Sequence, residues 1–478
     1  MKNSPHALTF VLFFLGSSTA LGNSQEDIHR QISPLLAHQL PRAAVGIAVA
    51  DAKTGHILYE HNGFQAFSPA SCAKLFSTSA SLYALGPDYR FSTNVYYNKS
   101  DLVDGTLRGH LFIQFSGDPS MTVEKLKQLV SQIRQSGVQR IAGNLVMDNT
   151  AFLPPWQGPG WSQDDLNWYF AAPITSIIIN QNAITAAITP NSTLNKPATL
   201  NITDKSLSPF IKLNHHVNTV TYEQAMETCQ VDVDIDNNNT INVNGCWPSG
   251  DHANNFNLAV KNPDELARQI FAHLLSAESI KLDGKIVMGS VPAKWPVVLR
   301  SESLPLKTLI TITLKESNNV YAEAITKTLG RQVYHEGSFL AGSRAIKSVL
   351  KKNTDIDFKQ AVLVDGSGQS RYDLVTPRQI VRLLHVIGND SQFGESFIHA
   401  LPESGTDGTL SKRMRSADLA HHIHAKTGTL QGVTTLSGYL TTQSGQQLIF
   451  SVLINNVVGD LDQARSLQTK IASVLYQL

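Results

Sequence analysis

The two ends of the chain carry complementary secondary-structure patterns, and this feature constrains the fold more than any other. The spacing of apolar residues near the N-terminus predicts a helix, two strands and a largely buried helix, at 27–40, 44–50, 56–60 and 69–85. The C-terminal part predicts three strands and an amphipathic helix, at 421–427, 433–441, 447–455 and 460–478. A helix–strand start and a strand–helix finish favour one α/β core that is assembled from both ends of the chain.

The middle of the chain has a different character. Between 91 and 292, many short segments alternate apolar and polar residues and are separated by Gly, Asn and Pro, a pattern typical of strands and turns. Examples lie at 107–114, 141–147 and 183–188. The chain is long enough for more than one hydrophobic core, since domains hold roughly 100–200 residues each. We therefore predict one or two β-rich modules at 91–292, inserted into a core formed by 23–90 and 293–478.

The N-terminus has the order of a secretory signal peptide. Lys2 supplies a positive charge, 7–15 form an apolar run broken only by a Thr, and small residues follow. Cleavage is expected after Ala20 or Gly22, which gives an exported protein. The alternative is a retained membrane anchor, but the run is shorter than the ~20 apolar residues that a bilayer requires. We expect the signal peptide, 1–22, to be removed and the mature protein to be soluble.

The charge of the chain gives no indication of a nucleic-acid partner. The formal net charge is +1, and basic residues form only isolated pairs. Nucleic-acid binding needs a basic patch or stripe. We therefore predict no nucleic-acid partner.

Three cysteines, Cys72, Cys229 and Cys246, bear on the fold, because exported proteins can form disulfides. The segment between the last two alternates apolar and polar residues on both sides of a turn at 237–239, which predicts a β-hairpin. Such a hairpin would bring Cys229 and Cys246 near each other at its open end. We predict that these two form a disulfide and that Cys72 is free.

The first chemical element is Ser71-Cys72-Ala73-Lys74, at the start of a predicted helix. Residues at i and i+3 share one face of a helix, so the Lys74 amine can reach the Ser71 hydroxyl. A neutral lysine can activate a serine as nucleophile, and burial or a second cation lowers its pKa toward that state. The pattern alone is weak, since a second Ser-x-x-Lys occurs at 348–351 on an ordinary basic helix face.

The second element is Ser317-Asn318-Asn319, just before a predicted helix. Serine and asparagine are common N-caps, because their side chains accept hydrogen bonds from unpaired N–H groups of the first turn. Taken alone, this element therefore has capping as its simplest interpretation.

The third element is Lys426-Thr427-Gly428-Thr429, at the end of a predicted strand. A strand edge can pair with a peptide, Gly428 would let a substrate backbone approach, and Lys426 with Thr427 can meet a carboxylate. A second Lys-Thr-Gly at 53–55 lies in a hairpin turn, where glycine simply serves the turn.

The three elements together are more specific than any one of them. Ser-x-x-Lys at a helix start, Ser-x-Asn at a loop–helix junction and Lys-Thr-Gly on a late strand form the serial signature of penicillin-binding proteins and serine β-lactamases. The long separation between Lys74 and Ser317 resembles the low-molecular-mass class C penicillin-binding proteins, the D-alanyl-D-alanine carboxypeptidase/endopeptidase family. Further stretches agree with that family, at 85–91, 116–119, 143–152 and 365–371.

The resemblance implies an α/β (α+β) fold with a serine DD-peptidase/β-lactamase-like core, in which helices flank an antiparallel sheet, and two inserted β-rich domains. It implies peptidoglycan peptides as substrates, β-lactam antibiotics as inhibitors and the periplasm as location. No metal or organic cofactor is expected. Weak membrane or cell-wall association, the oligomeric state and the balance of carboxypeptidase and endopeptidase activity stay open.

The resemblance also implies catalytic roles. Ser71 would form the acyl-enzyme, and Lys74 would be its base. Ser317 would pass a proton toward the leaving amine, while Asn319 would hold the substrate amide. The backbone N–H groups of Ser71 and Thr429 would form the oxyanion hole.

Substrate contacts are implied in the same way. Lys426 and Thr427 would bind the terminal carboxylate of the peptide. Asp148 and Arg371 occupy positions that resemble contacts for a diaminopimelate side chain. For these two residues, turn formation and a surface ion pair are open alternatives.

Two other functions compete with the DD-peptidase. A β-lactamase shares the acylation machinery but hydrolyses the acyl-enzyme quickly, and the long insertion argues against it. A non-catalytic penicillin- or cell-wall-binding protein would have a damaged motif, whereas every catalytic side chain is present.

Overall fold

The computed structural model of the protein describes residues 26, 28–37, 40, 42–227, 229–250 and 252–478. The predicted signal peptide lies outside these residues. The helices are α1 (28–37), α2 (Lys74–Leu85), α3 (Val123–Gln135), α4 (Tyr222–Glu227), α5 (Pro263–Ala277), α6 (Leu306–Lys315), α7 (Asn319–Tyr334), α8 (Phe339–Thr354), α9 (Pro377–Gly388), α10 (Gly394–Ala400) and α11 (Asp462–Tyr476). No helix in this described part of the chain is both long and apolar enough to cross a membrane.

The strands are short and concentrated in the middle of the chain, and a second set lies near its two ends. They are β1 (Ala44–Asp51), β2 (Ile57–His61), β3 (Ser92–Tyr96), β4 (Leu102–Val103), β5 (Thr106–Leu107), β6 (Leu111–Gln114), β7 (Arg140–Ile141), β8 (Leu145–Asp148), β9 (Ala183–Thr189), β10 (Thr199–Ile202), β11 (Leu213–Val220), β12 (Asp232–Ile235), β13 (Ile241–Pro248), β14 (Asn254–Ala259), β15 (Lys281–Leu282), β16 (Ile286–Met288), β17 (Leu299–Glu302), β18 (Ile423–Leu430), β19 (Val433–Thr441) and β20 (Gln447–Asn455).

Strands from both ends of the chain form one core sheet. Its order is β18-β19-β20-β1-β2, and every neighbouring pair is antiparallel. Strand β1 pairs with β20 along its whole length, from Ala44 opposite Asn455 to Asp51 opposite Leu448. The sheet therefore joins the N-terminal and C-terminal parts of the chain into one core.

Helices cover both faces of this sheet. Successive side chains of a strand point to opposite faces, and in β1 both sets are apolar. Ala48 and Ala50 belong to an apolar cluster with residues of α2 and of α6 to α10. Ile47 and Val49 belong to a second cluster with residues of α1 and α11. The core is thus a three-layer α/β/α arrangement.

The segment predicted as one helix at 69–85 is divided in the structure. Residues Ala70–Ala73 form a 3-10 helix, and α2 begins at Lys74. Helix α2 is buried although it contains several hydroxyl residues, and three of these, Ser77, Thr78 and Ser81, bond to carbonyls of the preceding turn. For example, the Thr78 hydroxyl donates to the Lys74 carbonyl at 2.5 Å. The helix ends at Gly86, whose φ of 81° lies in the left-handed region.

The inserted part contains helices as well as strands. One mixed sheet has the order β16-β8-β6-β3-β17, and a smaller one has the order β15-β7-β5-β4. Helices α3 and α5 contribute to the apolar cluster of this part. Strand β17, which lies beyond the predicted boundary at 292, pairs with β3 of this sheet. The short polar strand β17 has too little alternation to be assigned from sequence.

Two further sheets lie between β8 and α5, with the orders β10-β9-β14 and β11-β13-β12. Their apolar residues belong to the same cluster as those of the flanking sheets, so one core runs through the inserted part. Strands β12 and β13 form an antiparallel hairpin. A disulfide between Cys229 and Cys246 lies at its open end.

Candidate active site

The hydroxyl of Ser71 lies beside the amine of Lys74. Both residues belong to the turn in which the 3-10 helix passes into α2, where side chains three positions apart are stacked. The Lys74 Nζ donates to the Ser71 Oγ at 2.9 Å. The preceding residue, Ala70, has a φ of 44°, an uncommon conformation for a residue with a Cβ. Such strain is typical of functional sites.

Lys74 is fully buried and surrounded by acceptors. Besides Ser71, it donates to the Asn319 Oδ1 at 2.6 Å and to the Ser367 carbonyl at 2.9 Å. Burial, together with the charge of Lys426, lowers the pKa of Lys74 well below its usual value. A lysine in this environment has a neutral form available, which is the form that can accept a proton from Ser71.

In Ser317-Asn318-Asn319, one residue caps a helix and a different residue contacts Lys426. Asn318 is the N-cap of α7, and its side chain accepts from the Tyr321 N–H at 3.1 Å. Ser317 precedes the cap with a φ of 57°, and its hydroxyl accepts from the Lys426 Nζ at 2.9 Å. Capping therefore does not account for Ser317.

Asn319 links three segments around Lys74. Its Oδ1 accepts from Lys74, while its Nδ2 donates to the Phe170 carbonyl at 2.8 Å and to the Gln369 side chain at 3.3 Å. Each atom of the amide is thus engaged within the protein. In this structure Asn319 positions Lys74 and the Phe170 segment, and its contact with a substrate amide stays a prediction.

Lys426 and Thr427 lie at the middle of β18. Lys426 is fully buried, and burial lowers the pKa of its ammonium to about 8. Besides Ser317, it donates to the Thr427 carbonyl at 2.7 Å. The Thr427 hydroxyl donates to the Thr409 hydroxyl at 2.6 Å. Lys426 therefore lies beside Ser317, and the Thr427 and Thr409 hydroxyls line one cavity with Ser317, which is a set suited to a carboxylate.

Gly428 is needed for a reason that differs from the sequence prediction. A Cβ at this position would lie 2.2 Å from the Thr435 Oγ1 and 2.8 Å from the Ser71 nitrogen. The missing side chain thus lets the Ser71 segment pack against β18, and the approach of a substrate backbone at Gly428 stays a prediction. Cys72 packs on the same side, since its Sγ donates to the Lys426 carbonyl at 3.3 Å.

These residues open into a cavity of about 500 Å³, large enough for a short peptide. Ser71, Ser317 and Thr429 line it together with Arg371 and Asp165. Burial raises the pKa of Asp165, while the charge of Arg371 opposes this shift. The cavity therefore combines a nucleophile with two side chains of opposite charge.

Asp148, the sequence-based candidate for a substrate contact, does not line this cavity. It lies at the end of β8 and is only 2% exposed. Its carboxylate accepts hydrogen bonds from Gln114, Thr150 and the backbone of Val291. The structure does not bring Asp148 to Arg371, and Asp165 is an acidic side chain that lines the cavity together with Arg371. The acid at a strand end fitted the family stretch, but its side chain faces its own module.

The loop behind Lys74 is held by buried carboxylates. Glu323, on α7, accepts from the N–H groups of Gly366 and Ser367 at 2.8–3.1 Å. Asp365 accepts from the Trp161 indole at 2.9 Å and from the backbone of the same loop. Burial and the neighbouring Asp365 raise the pKa of Glu323 to about 8. These bonds fix the Ser367 carbonyl, which is one of the three acceptors of Lys74.

The chain is similar to known proteins over most of its length. A model of the D-Ala-D-Ala carboxypeptidase 3 (S13) family matches residues 29–478. The chain belongs to this family. The D-alanyl-D-alanine carboxypeptidase DacB of Haemophilus influenzae is 30% identical over 435 residues, which cover 89% of each chain. The D-alanyl-D-alanine carboxypeptidase of Actinomadura sp. is 29% identical over 464 residues, which cover 93% of this chain and 85% of the relative.

Solved structures agree with the S13 assignment. The crystal structure of penicillin binding protein 4 from Haemophilus influenzae superposes with a TM-score of 0.85 at 29% identity, covering 94% of this chain and 99% of the other. The same protein complexed with a β-lactam gives a TM-score of 0.81 at 27% identity, covering 94% and 100%. The family and the fold class predicted from the sequence are thereby confirmed, and the protein is a serine-type D-Ala-D-Ala carboxypeptidase of the S13 family.

Several site residues of this S13 protein escaped the sequence analysis. Glu323 and Lys327 follow Asn319 on α7 at intervals of four, so the three share one helix face. Charged residues on the buried face of an apolar helix were the available signal. Asp165 and Phe170 lie in a loop without periodicity, and nothing in the sequence could place them opposite Ser71. In the described residues, no group of three or more His, Cys, Asp or Glu side chains is arranged to hold a metal ion.

Proposed function

We propose that this protein cleaves the D-alanyl bond at the end of peptidoglycan peptides through an acyl-enzyme on Ser71. The observation that carries the proposal is the hydrogen bond of 2.9 Å between Ser71 and a fully buried Lys74 whose pKa is lowered. A nucleophile beside a neutralisable lysine is the minimal machinery for acyl transfer. The terminal carboxylate of the peptide is the natural partner of Lys426 and Thr427.

The reaction proceeds in two halves. Lys74 accepts the proton of Ser71, whose oxygen attacks the carbonyl carbon of the penultimate D-Ala. The C–N bond breaks, Ser317 delivers a proton to the leaving amine, and an ester to Ser71 remains. Water then gives a proton to Ser317 and attacks the ester, the C–O bond to Ser71 breaks, and Lys74 returns the proton to Ser71. Lys74 and Ser317 thus supply every proton transfer of the cycle.

The charged part of the cavity supports recognition of the third residue of the stem peptide. A diaminopimelate side chain ends in an ammonium and a carboxylate. Asp165 and Arg371 offer one complementary charge to each, and they line the same cavity as Ser71. Arg371 is itself oriented by a bond of 2.8 Å to the Gln431 carbonyl. We assign this part of the cavity to a side chain that carries both charges.

Inhibition by β-lactams and export to the periplasm belong to the same proposal. The Haemophilus influenzae relative has been solved in complex with a β-lactam, which supports acylation of Ser71 by penicillins. The charged and apolar order of the N-terminal segment supports export. Fractionation of cells that produce the full chain tests the location, because the mature protein should be released with the periplasmic contents.

The deciding experiment compares wild type, Ser71→Ala and Ser348→Ala. Ser348 belongs to the second Ser-x-x-Lys, and its hydroxyl bonds only to the Ala345 carbonyl at 3.1 Å, so it is a matched control. Pentapeptide monomers and D,D-cross-linked dimers are incubated with each protein, and products are followed by mass spectrometry. We expect cleavage by wild type and Ser348→Ala but not by Ser71→Ala.

Other outcomes point to the competing functions. Rapid turnover of a chromogenic β-lactam without peptide cleavage would identify a β-lactamase. Binding of a labelled penicillin and of cell wall, with neither substrate turned over by folded wild type, would identify a non-catalytic binding protein.

A further inference from the structure

A second and larger cavity adjoins the active site. Its volume is about 760 Å³, and it shares Ser317, Asn319 and Phe170 with the catalytic cavity. From there it runs away from Ser71 toward the inserted part of the chain, along α3, β9 and β14. We call it the Ser317 groove. A peptide bound at Ser71 can therefore continue into this groove without leaving the protein surface.

The groove is polar and carries negative charge. None of the described residues that line it is Lys or Arg. Its lining includes three carboxylates and several amides, among them Glu124, Asp204, Glu316, Asn180, Gln181 and Asn257. Carboxylates close to an entering group favour a cation, and amides can donate and accept hydrogen bonds along a peptide backbone.

The wall of the groove is fixed by internal contacts. Asn180 donates to Asp204 at 3.1 Å and to Ser206 at 2.8 Å. The Asn318 side chain, next to Ser317, donates to Gln181 at 2.6 Å. The three residues 180–182 all have positive φ, at 47°, 61° and 50°. A run of such residues is costly and persists only where the surroundings demand it, so the groove exists before any ligand binds.

We propose that the Ser317 groove holds the leaving half of a D,D-cross-linked peptide, that is, the second stem peptide. This inference rests on the proposed function. Ser317 is the residue that hands a proton to the leaving amine, so the space beyond Ser317 lies on the leaving-group side. A single D-alanine leaves most of that space empty, whereas a stem peptide can extend along it.

The charge of the groove suits the chemistry of that product. When the C–N bond of a cross-link breaks, the acyl half stays on Ser71 as an ester. The other half gains a proton at its amine and becomes an ammonium after a second proton from water. Glu316, adjacent to Ser317, and Asp204 face the path by which this amine departs. Because none of the described residues that line the groove is lysine or arginine, no such side chain repels the departing ammonium.

The test compares two substrates on the same enzyme. Asn257 lies exposed on β14 and lines the groove, whereas Asn254 is exposed on the opposite face of the same strand. We expect Asn257→Trp to lower kcat/KM for the D,D-cross-linked dimer about tenfold or more, and Asn254→Trp to lower it less than about twofold. Release of D-Ala from a pentapeptide monomer should change less than about twofold in both variants.

A charge-only variant covers the case in which the tryptophan disturbs the fold. Glu124 is exposed in the first turn of α3. Glu124→Gln should raise KM for the dimer about twofold to fivefold and leave the monomer unchanged, with the effect reduced at high salt. Equal losses on both substrates, or no loss on the dimer in either variant, would overturn the assignment of the groove.

Two further outcomes are separable. Loss of cleavage by Asn257→Trp only when the dimer carries its disaccharides would mean that the groove binds glycan and not peptide, which also overturns the proposal. Failure of wild type to cleave monomer and dimer alike would count against the proposed function itself.

Discussion

The buried ammonium of Lys327 donates to the Ile174 carbonyl at 3.0 Å, and to the carbonyls of Leu153 and Pro155 at 2.9 and 3.1 Å. It also lies 4.4 Å from the ring centre of Phe339. One lysine of α7 thus gathers the two ends of the segment 153–174, which carries Asp165 and Phe170 to the catalytic cavity. The wall of the cavity depends on a residue that no substrate touches.

Replacing Lys327 by methionine should weaken this wall. The variant keeps the length of the side chain but leaves three buried carbonyls without a donor, at a cost of about 3 kcal/mol or more in the free energy of unfolding. We expect KM for a stem peptide to rise, with the rate of acylation by a small penicillin nearly unchanged. Urea denaturation and steady-state kinetics measure these effects. Lys351→Met, an exposed change on α8, is the control.

The pH dependence of stability tests the burial of Lys327. Burial lowers the pKa of Lys327 to about 7, whereas an unfolded lysine titrates near 10.4. Between these values the unfolded state binds the additional proton, so the stability of wild type should rise with pH. The stability of Lys327→Met should lack this component. Parallel curves of stability against pH for the two proteins over this range would contradict the lowered pKa of Lys327.

Replacing the carboxyl group of Glu323 by an amide should disturb Lys74 through the loop between them. Glu323→Gln keeps the shape but replaces one acceptor oxygen by an N–H₂ group that faces the backbone N–H donors of this loop. The Ser367 carbonyl should then shift from Lys74, and kcat/KM should fall about tenfold to a hundredfold. Kinetics on a D-Ala-D-Ala peptide measure the loss. Glu395→Gln, on the exposed side of α10, should be neutral, and equal behaviour of the two variants would refute the role of Glu323.

The substitution Gly428→Ala should move Ser71 away from β18, against which the Ser71 segment packs. The added Cβ would meet Thr435 and the Ser71 nitrogen, and overpacking of this kind costs about 1–3 kcal/mol. We expect acylation by a fluorescent penicillin to slow about a hundredfold. Gly250→Ala is the matched control, since no atom lies within 4 Å of its Cβ position. Normal acylation of Gly428→Ala would show that β18 can shift to accommodate the added methyl group without displacing Ser71.

Binding of the substrate carboxylate should weaken above about pH 8. Lys426 is charged below its pKa of about 8 and neutral above it, so the attraction for a carboxylate is lost as pH rises. We expect kcat/KM for a peptide with a free terminal carboxylate to fall through this range. The same peptide with a terminal carboxamide should show no such decrease attributable to Lys426. Profiles that fall equally for both peptides would assign the transition to another group.

The sequence was sufficient for the catalytic centre because its residues form short local patterns. Ser71 and Lys74 lie within one turn, so their spacing alone predicts that the two side chains meet. Lys426 and Thr427 belong to a short motif that can be recognised on one strand. The core sheet could be predicted for a related reason. Segments with the apolar periodicity of strands occur near both ends of the chain, and each strand needs neighbouring strands with which to pair.

The rest depended on contacts between distant segments. Asp165 reaches the cavity from a segment with no regular pattern, whereas Asp148 was predicted because its motif position resembles a contact for diaminopimelate. Helix α3 of the inserted part was missed, because the alternating segments around it favoured a β-rich prediction. The edge strand β17 is too short to show alternation, so its pairing with β3 could not be predicted. Apolar periodicity predicts which face of a helix or strand is buried. It does not predict which irregular segment packs opposite that face.

The pairing of β1 with β20 has a consequence for the time at which the enzyme becomes active. Contacts of large sequence separation form slowly, because the chain must first close a long loop. The inserted part is contiguous in sequence and can fold as a unit while the core is still open. Ser71 meets the lysine of β18 only after the last strands have been synthesised. A chain interrupted before that point therefore contains the nucleophile but cannot damage the wall it is made to cut.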